Sequence, residues 1–237
     1  MLMETVPAFF TSYPYLFANL LTLILLILCI KKTWKGGQGR IALLSGLMCI
    51  PFSLVSLLHE GQYWNPLRWG GGPFGAEDIL FCINAGILVL FLATGPFVRT
   101  ITIDVTMRQL FRRYLLVLLP GSGAFLILFL SHGPAMTGTL LIMITAVLIF
   151  IGIRHDNLPL SIRGVILFLP VYLILVGIEF AVWPSYIHSW SSPTIWDHPV
   201  LGIPAGEIAW AAAFGALWPL LVAYSLDIRG ASSGTPD

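Results

Sequence analysis

Long apolar runs, separated by short polar segments, constrain the fold of this chain more than any other feature. Each run is close to the ~20 residues that an α-helix needs to cross a bilayer. The chain is 57% hydrophobic and only 10% charged, which is not the composition of a soluble domain. The sequence therefore predicts an all-α polytopic membrane protein. Its seven transmembrane helices are expected at residues 12–30, 41–58, 77–98, 114–131, 137–153, 163–183 and 204–226.

The basic residues predict how these helices are oriented. Every Lys and Arg except Arg68 falls between helices 1 and 2, between helices 3 and 4, between helices 5 and 6, or after helix 7. Short loops rich in Lys and Arg stay in the cytoplasm. We therefore expect an integral protein of a bacterial or archaeal cell membrane, with its N-terminus outside and its C-terminus in the cytoplasm. The polar tail after Arg229 is expected to be disordered.

One stretch of sequence occurs twice, at a spacing of 129 residues. In each copy a Trp-bearing turn and a Gly/Pro-rich loop precede an acidic residue in the first turn of an apolar helix. The spacing aligns Asp78 with Glu207 and Gly86 with Gly215. Because four helices separate the copies, the repeats are expected to be parallel, with three helices in each and a connector helix between them. The predicted organisation is one membrane domain, 1–237, with repeat one at 1–98, the connector with helix 4 at 99–136, repeat two at 137–226 and a tail at 227–237.

The acidic residues of the two motifs are the candidate catalytic groups. An ionisable side chain in the hydrocarbon costs about 2.5–3.5 kcal/mol or more, so its presence favours a function. Helical spacing places Glu207 on one face with an aromatic stripe, and places Glu77 on one face with Phe81 and Asn84, with Asp78 turned away. An acid in a first turn also suits the helix dipole, which is the structural alternative. The candidate catalytic residues are Asp78, Glu207 and Glu77, and the candidate substrate-binding residues are Trp210, Phe214, Trp218, Phe81, Asn84 and Glu179.

At these two motifs the chain resembles the membrane lycopene cyclase domain family, whose mark is a Pro-x-Glu-Glu/Asp signature in each of two repeats. The first copy here reads Gly75-Ala76-Glu77-Asp78, with Gly in place of the proline. The second reads Pro204-Ala205-Gly206-Glu207, with Gly in place of the first acid. The motif match covers about 35 residues in each copy.

The resemblance implies cyclisation of the end group of a linear C40 carotenoid such as lycopene, with no net redox change. A Brønsted acid would protonate the terminal alkene, a neighbouring double bond would attack the cation, and a base would remove a proton. Two nearby carboxyl groups in an apolar site can share one proton and supply both roles. On this reading Asp78 and Glu207 are the acid–base pair, Glu77 modulates them, and aromatic rings stabilise the cation.

Each alternative function of a seven-helix membrane protein requires particular residues, which can be looked for in the sequence. A retinal-binding seven-helix protein needs a lysine in its last helix, and no lysine follows Lys35. A membrane prenyltransferase needs aspartate-rich DxxxD loops, and the chain has none. A non-catalytic subunit of a carotenoid pathway, or a small-molecule membrane transporter, remains an open alternative.

We expect no cofactor, no metal and no nucleic-acid partner. The expected partners are a polyene from the bilayer, membrane lipid, and a second copy of the chain or carotenoid-pathway enzymes.

Overall fold

The computed structural model describes residues 9–34, 37–94, 105–190, 196 and 198–228. In these residues seven helices are long and apolar enough to cross a membrane, so the predicted all-α polytopic architecture is confirmed. The helices are α1 (Pro14–Thr33), α2 (Gln38–His59), α3 (Ala76–Thr94), α4 (Met107–Leu130), α5 (Ala135–Ile153), α6 (Leu158–Val182) and α7 (Ala205–Leu226). The basic residues Lys35, Arg99 and Arg229, the last residues of predicted helix 3 (95–98) and the tail 230–237, which is predicted to be disordered, lie outside the described residues.

Short elements interrupt or connect these helices. Helix α2 changes to a 3₁₀ helix at Ile50–Val55, and 3₁₀ turns flank α6 at His155–Asn157 and Pro184–Ser189. Two two-residue strands, β1 (Pro199–Val200) and β2 (Ile203–Pro204), form an antiparallel hairpin immediately before α7. Its two turn residues both have positive φ, as a tight two-residue hairpin turn requires. The hairpin fixes the direction in which the chain enters the first turn of α7.

Two helices, α4 and α6, begin at least five residues earlier than predicted. Helix α4 starts at Met107 rather than at residue 114, because Thr106 and Gln109 form a capping box that initiates the helix within a charged stretch. The arginines at 108, 112 and 113 therefore lie on a helix and not in a loop. Helix α6 starts at Leu158 rather than at residue 163, with a proline in its first turn. A prediction from hydropathy leaves charged residues outside the span. The helix itself begins where its first turn is capped, even if that turn is charged.

The tightest helix crossings are alike in the two halves of the chain. Helices α2 and α3 cross at a pair of glycines, and a Cβ atom added at Gly86 would lie 2.9 Å from the backbone oxygen of Ser45. The Ser45 hydroxyl donates a hydrogen bond of 2.7 Å to the Gly86 carbonyl. Helices α6 and α7 also cross at glycines, Gly164 against Gly215, and the Ser161 hydroxyl donates to the Ala216 carbonyl at 2.9 Å. Small residues let membrane helices approach closely enough for such bonds.

Helix α4 is the least buried of the seven. Leu110 is its only buried residue, and none of its most apolar stretch is buried. Near its start, the Tyr114 hydroxyl donates to the Met48 carbonyl at 2.5 Å, and Arg113 pairs with Asp227 just beyond α7. Hydrogen bonds from Arg154 and Arg113 hold the pKa of Asp227 below its ordinary value. This ion cluster joins the ends of α4, α5 and α7.

Candidate functional site

A long apolar cavity of about 740 Å³ runs through the bundle and is lined by residues from all seven helices. Along α7 its lining extends from Glu207 to Tyr224, which is about 25 Å at 1.5 Å of rise per residue. The volume lies in the range of small-molecule sites, but the length suits a linear chain better than a compact ligand. All six residues predicted to bind substrate line this cavity: Phe81, Asn84, Glu179, Trp210, Phe214 and Trp218.

Three carboxyl groups, those of Asp78, Glu179 and Glu207, line one end of the cavity, which we call the acid end. Asp78 and Glu207 lie in the first turns of α3 and α7, and Glu179 lies in the last turn of α6. Burial of the phenol, together with the nearby Glu179 and Glu207 carboxyl groups, raises the pKa of Tyr186. Tyr186 therefore stays protonated beside the acid end.

Glu207 is buried and receives three hydrogen bonds from neutral side chains. The Tyr172 hydroxyl lies 2.5 Å from Oε2, the Trp190 indole N–H lies 2.9 Å from Oε1, and the Tyr63 hydroxyl lies 3.3 Å from Oε1. Among the described residues, no basic side chain forms an ion pair with this carboxyl. A carboxyl group that is removed from water without a cation tends to keep its proton.

Glu179 is the carboxyl group that interacts electrostatically with Glu207. It lies on α6, seven residues and therefore two helical turns from Tyr172. No described residue forms a hydrogen bond or an ion pair with the Glu179 side chain, so its carboxyl faces the cavity without a fixed partner. Two of the three carboxyl groups of the acid end thus lie on adjacent helices, and neither is paired with a cation among the described residues.

Asp78 is in a different electrostatic setting. Arg68 donates to its carboxylate from Nε at 2.8 Å and from Nη2 at 3.2 Å, and the Gly75 N–H donates at 2.8 Å. Burial alone would lower the pKa of Arg68, but its bonds to Asp78 and Glu60 raise that pKa above its ordinary value. Arg68 therefore stays charged and forms an ion pair with Asp78 through two of its nitrogens. The predicted pair, Asp78 and Glu207, share the cavity, but each has its own set of hydrogen-bond partners.

Glu77 does not line the cavity, which corrects the predicted grouping of Glu77 with Phe81 and Asn84 on one functional face. Its Oε1 accepts the backbone N–H of Trp69 at 2.7 Å, so the side chain turns back toward the loop that precedes α3. Asp78 shares the cavity with Phe81 and Asn84 instead. Helical spacing misplaced the two acids because hydrogen bonding to the loop redirects side chains in a first turn.

The glycines at positions 75 and 206 each have a structural reason. A side chain at Gly206 would collide with Tyr63, whose hydroxyl donates a hydrogen bond to Glu207. A side chain at Gly75 would collide with the Glu77 carboxylate and would crowd Arg68. The glycine at each position therefore leaves room for a partner of an acid in the same motif.

An aromatic wall continues from the acid end along α7. The rings of Trp210 and Phe214 stack at 4.9 Å with an interplanar angle of 10°, and those of Phe214 and Trp218 stack at 5.5 Å and 14°. Phe81 packs against Trp210 at 5.4 Å. Asn84 donates to the backbone oxygen of Asn19 at 2.8 Å, which ties α3 to α1 at the cavity surface. The three α7 rings stack on one another and together form one apolar wall of the cavity.

Sequence reasoning missed the partners of the acids, namely Tyr15, Tyr63, Arg68 and Trp190. Arg68 had a signal, because it is the one basic residue on the predicted outer side. The tyrosines and Trp190 had none, because their partners are distant in the chain: Tyr63 and Glu207 are 144 residues apart. The described residues contain no group of three His, Cys, Asp or Glu that could hold a metal.

Comparisons with protein-family models, with curated proteins and with solved structures found no match for this chain.

Proposed function

We propose that the chain is an acid–base cyclase of linear isoprenoids, acting on the end group of a C40 polyene such as lycopene. The observation that carries the proposal is the burial of Glu207 without a cation at one end of a long apolar cavity. A polyene has no polar groups to recognise, so a site for it needs length, apolar walls and one proton donor. The cavity has the length and the apolar walls, and Glu207 is the candidate proton donor.

Glu207 is the proposed proton donor. A neutral carboxyl group in an apolar site can protonate a terminal alkene, because the same burial that keeps its proton also excludes water. The new cation is then attacked by a neighbouring double bond, which closes the ring. Trp190 can only donate a hydrogen bond and so stabilises the carboxylate that Glu207 becomes.

Glu179 is the proposed base, and it fits this role better than Asp78. Arg68 neutralises Asp78 and makes it a weak proton acceptor, whereas Glu179 interacts electrostatically with Glu207. Two nearby carboxyl groups in an apolar site tend to share one proton, so Glu179 is the ionised partner when Glu207 holds that proton. After ring closure, Glu179 takes a proton from the carbon next to the cation, which forms the ring double bond. Transfer of that proton back to Glu207 restores both groups, so the reaction consumes no proton and no electrons.

The aromatic wall is the proposed stabiliser of the cation. Ring faces contribute about 0.5–2 kcal/mol each when a cation lies over them in a dry site. Trp210 is the first ring after Glu207 and packs against Phe81, Tyr172 and Phe214. The position of the ring is therefore fixed before the cation forms.

Expression in a bacterial host that accumulates lycopene tests this function, with pigments separated by chromatography. We expect a cyclic product from the wild-type chain and none from Glu207→Gln, which keeps the shape of the side chain but removes the transferable proton. Glu77→Gln is the matched control, since Glu77 lies in the corresponding motif but outside the cavity, and it should retain cyclisation. Trp210→Leu should slow the reaction but not abolish it.

The outcomes separate the cyclase from its alternatives. Unchanged lycopene with an inserted wild-type protein would refute the cyclase. Lycopene that copurifies unchanged with the protein would then favour a non-catalytic pathway subunit. A cyclic product from Glu207→Gln at the wild-type level would refute the assignment of the acid.

A further inference from the structure

The cavity is not closed toward the bilayer along α5. Four residues spaced by one helical turn, at 141, 145, 149 and 153, line the cavity and are also exposed at the surface of the helix bundle. The exposed fractions are 60% for Leu141, 56% for Ile149 and 57% for Ile153. The same stripe of α5 thus faces both the interior space and the lipid.

The opposite edge of this opening is the middle of α4, where the side chains are small. Pro120, Gly121 and Ala124 line the cavity, and a Cβ added at Gly121 would meet only the edge of Phe52, at 4.0 Å. Helix α4 is fixed at its start by the bond from Tyr114 to Met48. Its other end is connected to α5 by a short turn, where Leu128 packs against Gly138. Between these attachments α4 covers the cavity with little packing beneath it.

We propose that this side opening, formed by Leu141, Thr145 and Ile149 of α5 and by Pro120, Gly121 and Ala124 of α4, is the entrance through which an apolar isoprenoid chain passes from the bilayer into the cavity. The inference rests on the proposed function for the identity of the ligand. The exposed residues of the opening are apolar except for Thr145, so a hydrocarbon chain crosses no aqueous layer and leaves no polar group unsatisfied. The opening is continuous with the acid end through the cavity, which lets one terminus of the chain reach Glu207.

The side opening also determines which part of the ligand is held. A linear chain that enters between α4 and α5 has its leading end among the aromatic rings, while the remainder lies along the α5 stripe in contact with lipid. The ligand therefore needs a long, slender apolar chain behind the reacting end, with no branch larger than the methyl groups of an isoprenoid. A compact polycyclic molecule of the same volume would not pass.

Photolabelling in phosphatidylcholine vesicles tests the entrance without requiring turnover. The probe is a linear long-chain alkyl diazirine, and mass spectrometry locates the labelled residues. In the wild-type chain we expect labelling at Trp210 and Phe214 in the cavity and at Leu28 on the lipid face of α1. Thr145→Phe should lose most of the cavity labelling and keep the Leu28 labelling. Ile144→Phe is the matched control, because Ile144 is the adjacent α5 residue and is exposed, but does not line the cavity.

A second pair of variants tests the α4 side of the opening. Gly121→Phe should also lose cavity labelling, whereas Gly123→Phe should not, because no atom lies within 4 Å of a Cβ at Gly123 and that residue is outside the lining. Wild-type cavity labelling in both Thr145→Phe and Gly121→Phe would overturn the entrance, even if lycopene is cyclised. Blocked labelling in a chain that leaves lycopene unchanged would support the entrance and refute the cyclase.

Discussion

Two acids that occupy equivalent positions in the sequence have opposite electrostatic settings. Asp78 is held by a buried arginine, and Glu207 is held by two tyrosine hydroxyls and an indole. The duplicated motif therefore provides one acid in an ion pair, a fixed anion, and one acid whose described hydrogen-bond donors are all neutral. A sequence alignment of the two copies treats the acids as equals, because the difference arises from Arg68, which has no counterpart in the second copy.

Asp78→Asn should destabilise the protein strongly. The substitution leaves Arg68 buried with only Glu60 as an anionic partner, and breaking a buried ion pair costs about 3–5 kcal/mol. Thermal unfolding in detergent should show a lower midpoint for Asp78→Asn than for Glu207→Gln, which leaves no buried cation. Adding Arg68→Gln to Asp78→Asn should recover part of the loss. Equal midpoints for the two single variants would contradict the fixed-anion role of Asp78.

At the scale of helices, the two glycine crossings set how closely the α2–α3 and α6–α7 pairs approach. Each pair brings an acid-bearing helix against a neighbour, with a serine hydroxyl bonded across the crossing. Similar crossings in both halves are what a duplicated chain would produce, since the crossing residues Gly86 and Gly215 are aligned by the repeat spacing. The positions of Asp78 and Glu207 depend on these crossings, because a shift of α3 or α7 would move the acid in its first turn.

Gly164→Ala should therefore be much more harmful than Gly177→Ala in the same helix. A Cβ at position 164 would collide with the Gly215 carbonyl and approach Pro219, and overpacking costs about 1–3 kcal/mol. Gly177 has open space around it, so alanine there should stabilise α6 by about 0.5–1 kcal/mol. Unfolding midpoints in the same detergent measure both effects. A Gly164→Ala variant as stable as wild type would show that the helices separate without cost.

The helices were predictable from the sequence, and the contacts between them were not. Hydropathy places all seven spans because the bilayer requires a continuous apolar run for each. It misplaces the starts of α4 and α6, which depend on Thr106 and on Pro159. For the site, Glu207 and the aromatic stripe of α7 follow from helical spacing, whereas the positions of the Glu77 and Asp78 side chains do not. The partners Tyr63 and Arg68 do not, because they lie in the segment between α2 and α3, whose path is determined by packing and not by periodicity.

At the scale of the whole molecule, the distribution of charge predicts the orientation in the membrane. Reporter fusions after Arg40, Arg113 and Arg163 should report cytoplasm, and fusions near Gly71 and Gly133 should report the outside, because short basic loops are retained in the cytoplasm. Alkaline phosphatase and green fluorescent protein fusions read the two sides independently. The reverse pattern at Gly71 and Gly133 would place the acid end at the cytoplasmic face.

The acid end has a consequence for how a symmetrical substrate would be processed. All three carboxyl groups of the cavity, Asp78, Glu179 and Glu207, lie at one end of it, so a chain with two identical termini presents only one of them to the proton donor. To cyclise both, it must leave, reverse its direction in the bilayer and bind again. The proposed enzyme would therefore be distributive: one-ring molecules would be released as free intermediates, and the ratio of one-ring to two-ring product would depend on how much unreacted substrate competes for rebinding.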